Sequence, residues 1–131
     1  ALVALVDWSG ATGPGAAGAR LVVANAGDCR CILGSHSKSV PDAREANAST
    51  TGKVETTALS EDHKPELAAE TARIEAAGGV VKDMPSGRRV QGDLNLSRAL
   101  GDLRYKKRED LPAAAQIITA DPEIRERVLT S

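Results

Sequence analysis

The chain has 131 residues and a formal charge of −1, with 17 Lys and Arg against 18 Asp and Glu. That balance argues against a nucleic-acid surface, and no apolar run approaches the roughly 18 residues of a membrane helix, so no nucleic acid and no membrane are expected as partners. The length suits one soluble domain or part of one, but the core is thin: 22 residues are Ala, Leu, Ile and Val together number 27, and there is no Phe.

Residues 1–6 form a continuous apolar run, which predicts a strand buried on both faces. Residues 7–19, rich in Gly and Ala, read as an inserted loop, with Trp8 at its start either tucked under the sheet or exposed. A strand at 20–26, a tight turn at Gly27-Asp28 and a partner strand at 30–33 predict a hairpin with Asp28 at its tip. The Asp28 carboxylate is then either satisfied by its own turn or aimed at a metal ion. Cys29 and Cys31 are the only cysteines; two thiols do not complete a zinc site, and reduced thiols in a cytoplasmic or nuclear protein are expected.

A second insertion, polar and mixed, covers 35–52 and carries His36; a strand returns at 54–59. Asp-His-Lys-Pro at 62–65 opens a helix, with Pro65 in its first turn. Leu67, Thr71, Ile74 and Ala77 recur at helical spacing, leaving Glu66, Glu70, Arg73 and Glu75 for the wet side, and Gly78-Gly79 stops the helix. His63 stands at the helix entrance with no partner in view and is not read as a general acid. Val80-Val81 begins a strand that turns at 84–87.

Residues 89–102 read Arg-Val-Gln-Gly-Asp-Leu-Asn-Leu-Ser-Arg-Ala-Leu-Gly-Asp. An alternating piece through Val90, Leu94 and Leu96 leads into one helical turn at 97–100, capped by Ser97 and stopped by Gly101. That turn fixes Arg98 and Asp102 in place, and a surface ion pair between the two explains them equally well. The basic run at 104–108, broken by Tyr105 and followed by Glu109-Asp110, reads as a solvated face. A short helical start at 111–115, a strand at 116–119, a turn at Asp121-Pro122 and a strand from Glu123 to Leu129 complete the chain, with no internal repeat.

Three of these stretches, in this order, resemble the middle of a PPM-type metal-dependent protein serine/threonine phosphatase, the type 2C family. They are Val-Val-Ala-Asn-Ala-Gly-Asp-Cys-Arg-Cys-Ile-Leu at 22–33, the stretch 59–79 that opens Leu-Ser-Glu-Asp-His-Lys-Pro and closes Arg-Ile-Glu-Ala-Ala-Gly-Gly, and the stretch 89–102 given above. Tyr105-Lys106 and Ala120-Asp121-Pro122-Glu123 extend the likeness. The absence of a Cys-x₅-Arg loop and of a Gly-x₄-Gly-Lys loop argues against cysteine phosphatases and nucleotide kinases.

The resemblance implies an α+β fold, part of a four-layer α-β-β-α sandwich with antiparallel sheets. It implies dephosphorylation of phosphoserine and phosphothreonine in phosphoprotein substrates by a water activated by Mn²⁺ or Mg²⁺, two ions with a third bound more weakly beside them. Asp28 falls on the carboxylate that helps hold that additional metal, with Cys29 where the family more usually has Ser. Residues 62–107 include the flap that overhangs the active site, and Arg98, Asp102 and Lys106 are the flap candidates. The family's Asp-Gly-His-Gly ligands, phosphate-binding Arg and mechanistic His belong upstream of Ala1, and its later Asp ligands downstream of Ser131. The whole of 1–131 is therefore expected to be an internal fragment of one phosphatase domain, without catalytic residues of its own, folding poorly and inactive alone. A catalytically silent relative that binds partners through the same scaffold is the alternative.

Overall fold

The computed structural model describes residues 1–9, 18–36 and 54–129. Its elements run β1 (Leu2–Asp7), β2 (Ala19–Asn25), β3 (Ile32–His36), β4 (Val54–Ala58), α1 (Ala68–Ala76), β5 (Val81–Met84), β6 (Gly87–Val90) and β7 (Glu123–Leu129), with short 3-10 turns at Leu103–Tyr105 and Ala113–Ala115. An antiparallel sheet has the order β1-β2-β7, and β3-β4 and β5-β6 are separate antiparallel pairs.

The central strand sets the register. On β2, Ala19, Leu21, Val23 and Asn25 are buried while Arg20 is exposed, the period of two that puts alternate side chains on opposite faces. Leu21 and Val23 pack with Leu59, and Leu2, Cys31, Leu33 and Leu129 close around them. The opposite face is open. Val3 and Leu5 on β1 are 66% and 62% exposed, so β1 is not buried on both faces as its composition suggests. It is an edge strand, and among the described residues no layer covers that side of the sheet.

The expected hairpin between β2 and β3 does not form. A strand has two hydrogen-bonding edges, and β1 and β7 occupy both edges of β2, so residues 26–31 carry the chain away to pair β3 with β4. Of the two insertions, Asp7, Ala19, Ser35 and His36 belong to strands, and residues 10–17 and 37–53 lie outside the described residues. Trp8 is exposed.

The helix begins at Ala68 rather than at Asp62. The backbone of residues 62–67 is committed elsewhere: the His63 amide donates to the Gly27 carbonyl, and the His63 carbonyl accepts from Ser97. At the other end Gly78, with φ +82, lets its own amide reach Glu75 and the Gly79 amide reach Ile74, the double bond of a Schellman stop. Ile74 packs with Val90 and Ile118 in a second small core, joined by Val81, Leu94, Ala99, Tyr105 and Ile117.

Beyond the β5-β6 hairpin, the alternating stretch folds back instead of extending. Gln91 and Gly92 both take positive φ, Asp93 donates to the Val90 carbonyl, and Leu94 bridges back to Val90. No helical turn forms at 97–100. Arg98 makes a parallel bridge to Thr119, and the Ala99 amide donates to the Thr119 carbonyl at 2.9 Å. That bridge is all that appears of the strand expected at 116–119.

Candidate functional site

Two turns face each other residue by residue. The Gly27 amide donates to His63 Nδ1 at 3.2 Å, and the His63 amide returns a bond to the Gly27 carbonyl at 3.0 Å. Asn25 Nδ2 ties the Gly27 carbonyl to that of Glu61, at 3.1 and 2.9 Å. Gly27 is obligatory here: its φ is +126, and a Cβ would sit 3.0 Å from the Arg98 carbonyl oxygen. One residue further along both turns, Lys64 Nζ lies 2.5 Å from Asp28 Oδ2. Asp28 is therefore presented by a clamped backbone and touches a cation, while its Oδ1 makes no hydrogen bond among the described residues.

His63 is buried, and burial, reinforced by the nearby Arg98 charge, pushes its pKa down despite Glu70 and Glu123. With Nδ1 accepting, the ring proton belongs on Nε2, which faces Glu123 Oε2 at 3.5 Å and has no hydrogen bond among the described residues. The ring lines a cavity of about 320 Å³ shared with Glu61, Leu67, Glu70, Arg98 and Glu123.

Glu70 is the residue that periodicity misplaces. Helical spacing assigns it to the wet side, yet it is 2% exposed. Arg98 bonds it through Nη2 at 2.6 Å and Nε at 3.1 Å, Ser97 Oγ at 2.5 Å, and Arg73 Nη1 at 2.7 Å. Burial raises the Glu70 pKa, but the bonds from Arg98, Ser97 and Arg73 outweigh it and hold the carboxyl at about 2. Arg73, likewise expected in solvent, also donates to the carbonyls of Ser97 and Gln116. The only sequence signal for this cluster is the paired spacing of Glu70 and Arg73, which is equally common on wet faces.

The flap candidates separate on inspection. Arg98 pairs with Glu70 and with the Asp121 carbonyl, so the surface pair between Arg98 and Asp102 is not formed. Asp102 sits in the left-handed region, φ 57, where its carbonyl accepts the Tyr105 amide and starts the 3-10 turn. Lys106 Nζ caps the carbonyls of Ala99 and Leu100 at 2.6 and 3.1 Å, and burial lowers its pKa. In the basic run Arg104, Lys107 and Arg108 are exposed, a solvated face on which Arg104 pairs with Asp93 and Arg108 with Asp110 and the Ala77 carbonyl.

Among the described residues no three His, Cys, Asp or Glu side chains converge on one point. Asp28 stands there as a single carboxylate, without a second and third such side chain converging on it among the described residues. A half-buried carboxylate with one oxygen on an ammonium and the other free suits Mg²⁺ or Mn²⁺ as a single hard donor.

Over 111 residues the chain is 43% identical to protein phosphatase ppm-1.G of Caenorhabditis elegans, covering 85% of this chain and 18% of that protein. It is 42% identical over 113 residues to human protein phosphatase 1G, covering 86% of this chain and 17% of that protein. The chain therefore spans under a fifth of the length of these relatives. A crystal structure of a phosphatase from a pathogenic strain of Toxoplasma gondii superposes with a TM-score of 0.66 at 34% identity, over 85% of this chain and 28% of that one. The antiparallel sheets and helix are those of the α-β-β-α sandwich expected for such phosphatases. With the Protein phosphatase 2C profile matching residues 3–131, essentially from end to end, the chain belongs to the protein phosphatase 2C family.

Proposed function

We propose that this chain is a central piece of a metal-dependent protein serine/threonine phosphatase, a phosphoric monoester hydrolase acting on phosphoproteins with Mn²⁺ or Mg²⁺. The observation that carries the reading is Asp28: the family motif falls on a carboxylate whose backbone is clamped and whose oxygen already touches a cation. When bound, divalent ions supply an activated water and neutralise charge on the phosphate oxygens.

The chain's own residues hold and position. Asp28 would hold an additional divalent ion through one carboxylate oxygen. Gly27 and His63 hold that carboxylate's backbone, and the Glu70 cluster pins residues 97 and 98 against the same turn. Arg98 is a positioning residue acting through Glu70. Asp102 and Lys106 hold their local backbone within the region 62–107, which would include the flap over the substrate. The free thiols of Cys29 and Cys31 support a cytoplasmic or nuclear location.

The test is hydrolysis of a phosphothreonine peptide and of p-nitrophenyl phosphate by the intact protein. Turnover that requires Mn²⁺, stops with a chelator and falls in Asp28→Asn without loss of fold is expected, while residues 1–131 alone hydrolyse neither substrate. An intact, folded, metal-replete protein with no turnover would make the chain part of a silent binding scaffold instead.

A further inference from the structure

Lys64 touches the one carboxylate to which the family motif gives a metal role. We infer that Lys64 is the resident counter-cation of Asp28, and that a divalent ion binds there by displacing the Lys64 ammonium. This rests on the reading of Asp28 as a metal ligand, and adds that the chain itself carries a competitor that weakens and gates that ion.

Four features favour exchange over a permanent ion pair. First, the contact is reachable, the side chains of Asp28 and Lys64 being 31% and 26% exposed. Second, the backbone beneath it is fixed by the reciprocal bonds of Gly27 and His63 and by Asn25, so the swap is a side-chain event that leaves the turns in place. Third, the displaced ammonium has a destination. An open groove of about 630 Å³ is lined by Glu61, Asp62 and Glu66 together with Arg30 and Lys64 itself. Arg30 already grips Asp62 there at 2.8 Å and Arg125 pairs with Glu61 at 3.3 Å, which leaves Glu66 as the groove carboxylate with no cation on it among the described residues. Fourth, the charges favour the ion: a divalent cation is attracted to one carboxylate about twice as strongly as an ammonium at equal distance.

The experiment follows Mn²⁺ binding to the intact protein by electron paramagnetic resonance, for the wild type, Lys64→Met and Asp28→Asn. Removing the ammonium is expected to tighten the weaker class of Mn²⁺ site by about tenfold, the scale of one half-exposed charge beside a divalent ion. In the unmutated protein, Mg²⁺ titration should shift the ¹⁵N signal of Lys64 Nζ in step with occupancy of that site, a readout that needs no variant to fold. Affinity unchanged or weaker in Lys64→Met while Asp28→Asn weakens binding would sink the exchange and leave the metal role of Asp28 standing. Mn²⁺ binding unaltered by Asp28→Asn would remove the metal role and the exchange with it.

Discussion

Glu70 with its arginines and Asp28 with Lys64 are both carboxylates against cations, on segments joined by the same backbone bonds, and they differ in burial and in partner number. Glu70 is sealed from water and receives bonds from Arg98, Ser97 and Arg73. Asp28 is partly solvated and receives one. A buried carboxylate that loses a partner leaves uncompensated charge, so the first cluster is fixed, whereas water can replace Lys64 at the second. Structural and exchangeable ion pairs are thus separated by solvent access, although both look like a short contact.

Breaking the buried member should cost most. Glu70→Gln leaves two arginines without their counter-charge and is expected to lower stability by on the order of 3–5 kcal/mol in urea unfolding. A loss below about 1 kcal/mol would mean the two pairs are alike after all.

Acid attacks the same cluster. Glu70 has its pKa lowered from 4.5 to about 2, so its contribution is complete above pH 4.5 and disappears as pH falls through 2. That depression corresponds to about 3 kcal/mol. His63 acts in the same direction at higher pH. It is held neutral with its pKa below 6.5, so stability begins to erode as pH falls below 6.5. Thermal unfolding from pH 8 to pH 3 should show the erosion below 6.5 and a steeper loss below 4.5. In His63→Asn, whose amide oxygen can accept the Gly27 bond without titrating, the upper phase should vanish and the lower remain.

Gly27→Ala tests the seam between the two carboxylates. Its φ of +126 and the 3.0 Å approach to the Arg98 carbonyl should make the alanine destabilising by about 1–3 kcal/mol. Amide exchange at Gly27 and Ser97 should speed up together, because the His63 backbone links them. The smallest effect is expected at the exposed pair: Lys64→Met should change unfolding free energy by less than about 1 kcal/mol. A cost near that of Glu70→Gln would show Lys64 to be a structural strut.

Sequence alone determined the family, the antiparallel α+β class, the strand that turns after Met84, the Gly78-Gly79 helix stop and the strand at Glu123–Leu129. Those features depend on local chemistry: motif order, turn residues with positive φ, and alternation along one strand. Asp28 also stood out, through its motif. Three matters were decided only by tertiary structure, because each depends on contacts far apart in the chain. Strand pairing required knowing that β7, more than ninety residues away, takes the edge of β2 that a hairpin would have used. The burial of Glu70 and Arg73 required Ser97 and Arg98 to come down on the polar side of the helix, which no helical periodicity contains. The pairing of Asp28 with Lys64 required two turns, separated by a strand pair and an insertion, to meet through Gly27 and His63, since a sequence specifies which groups can bond but only the folded chain chooses among them.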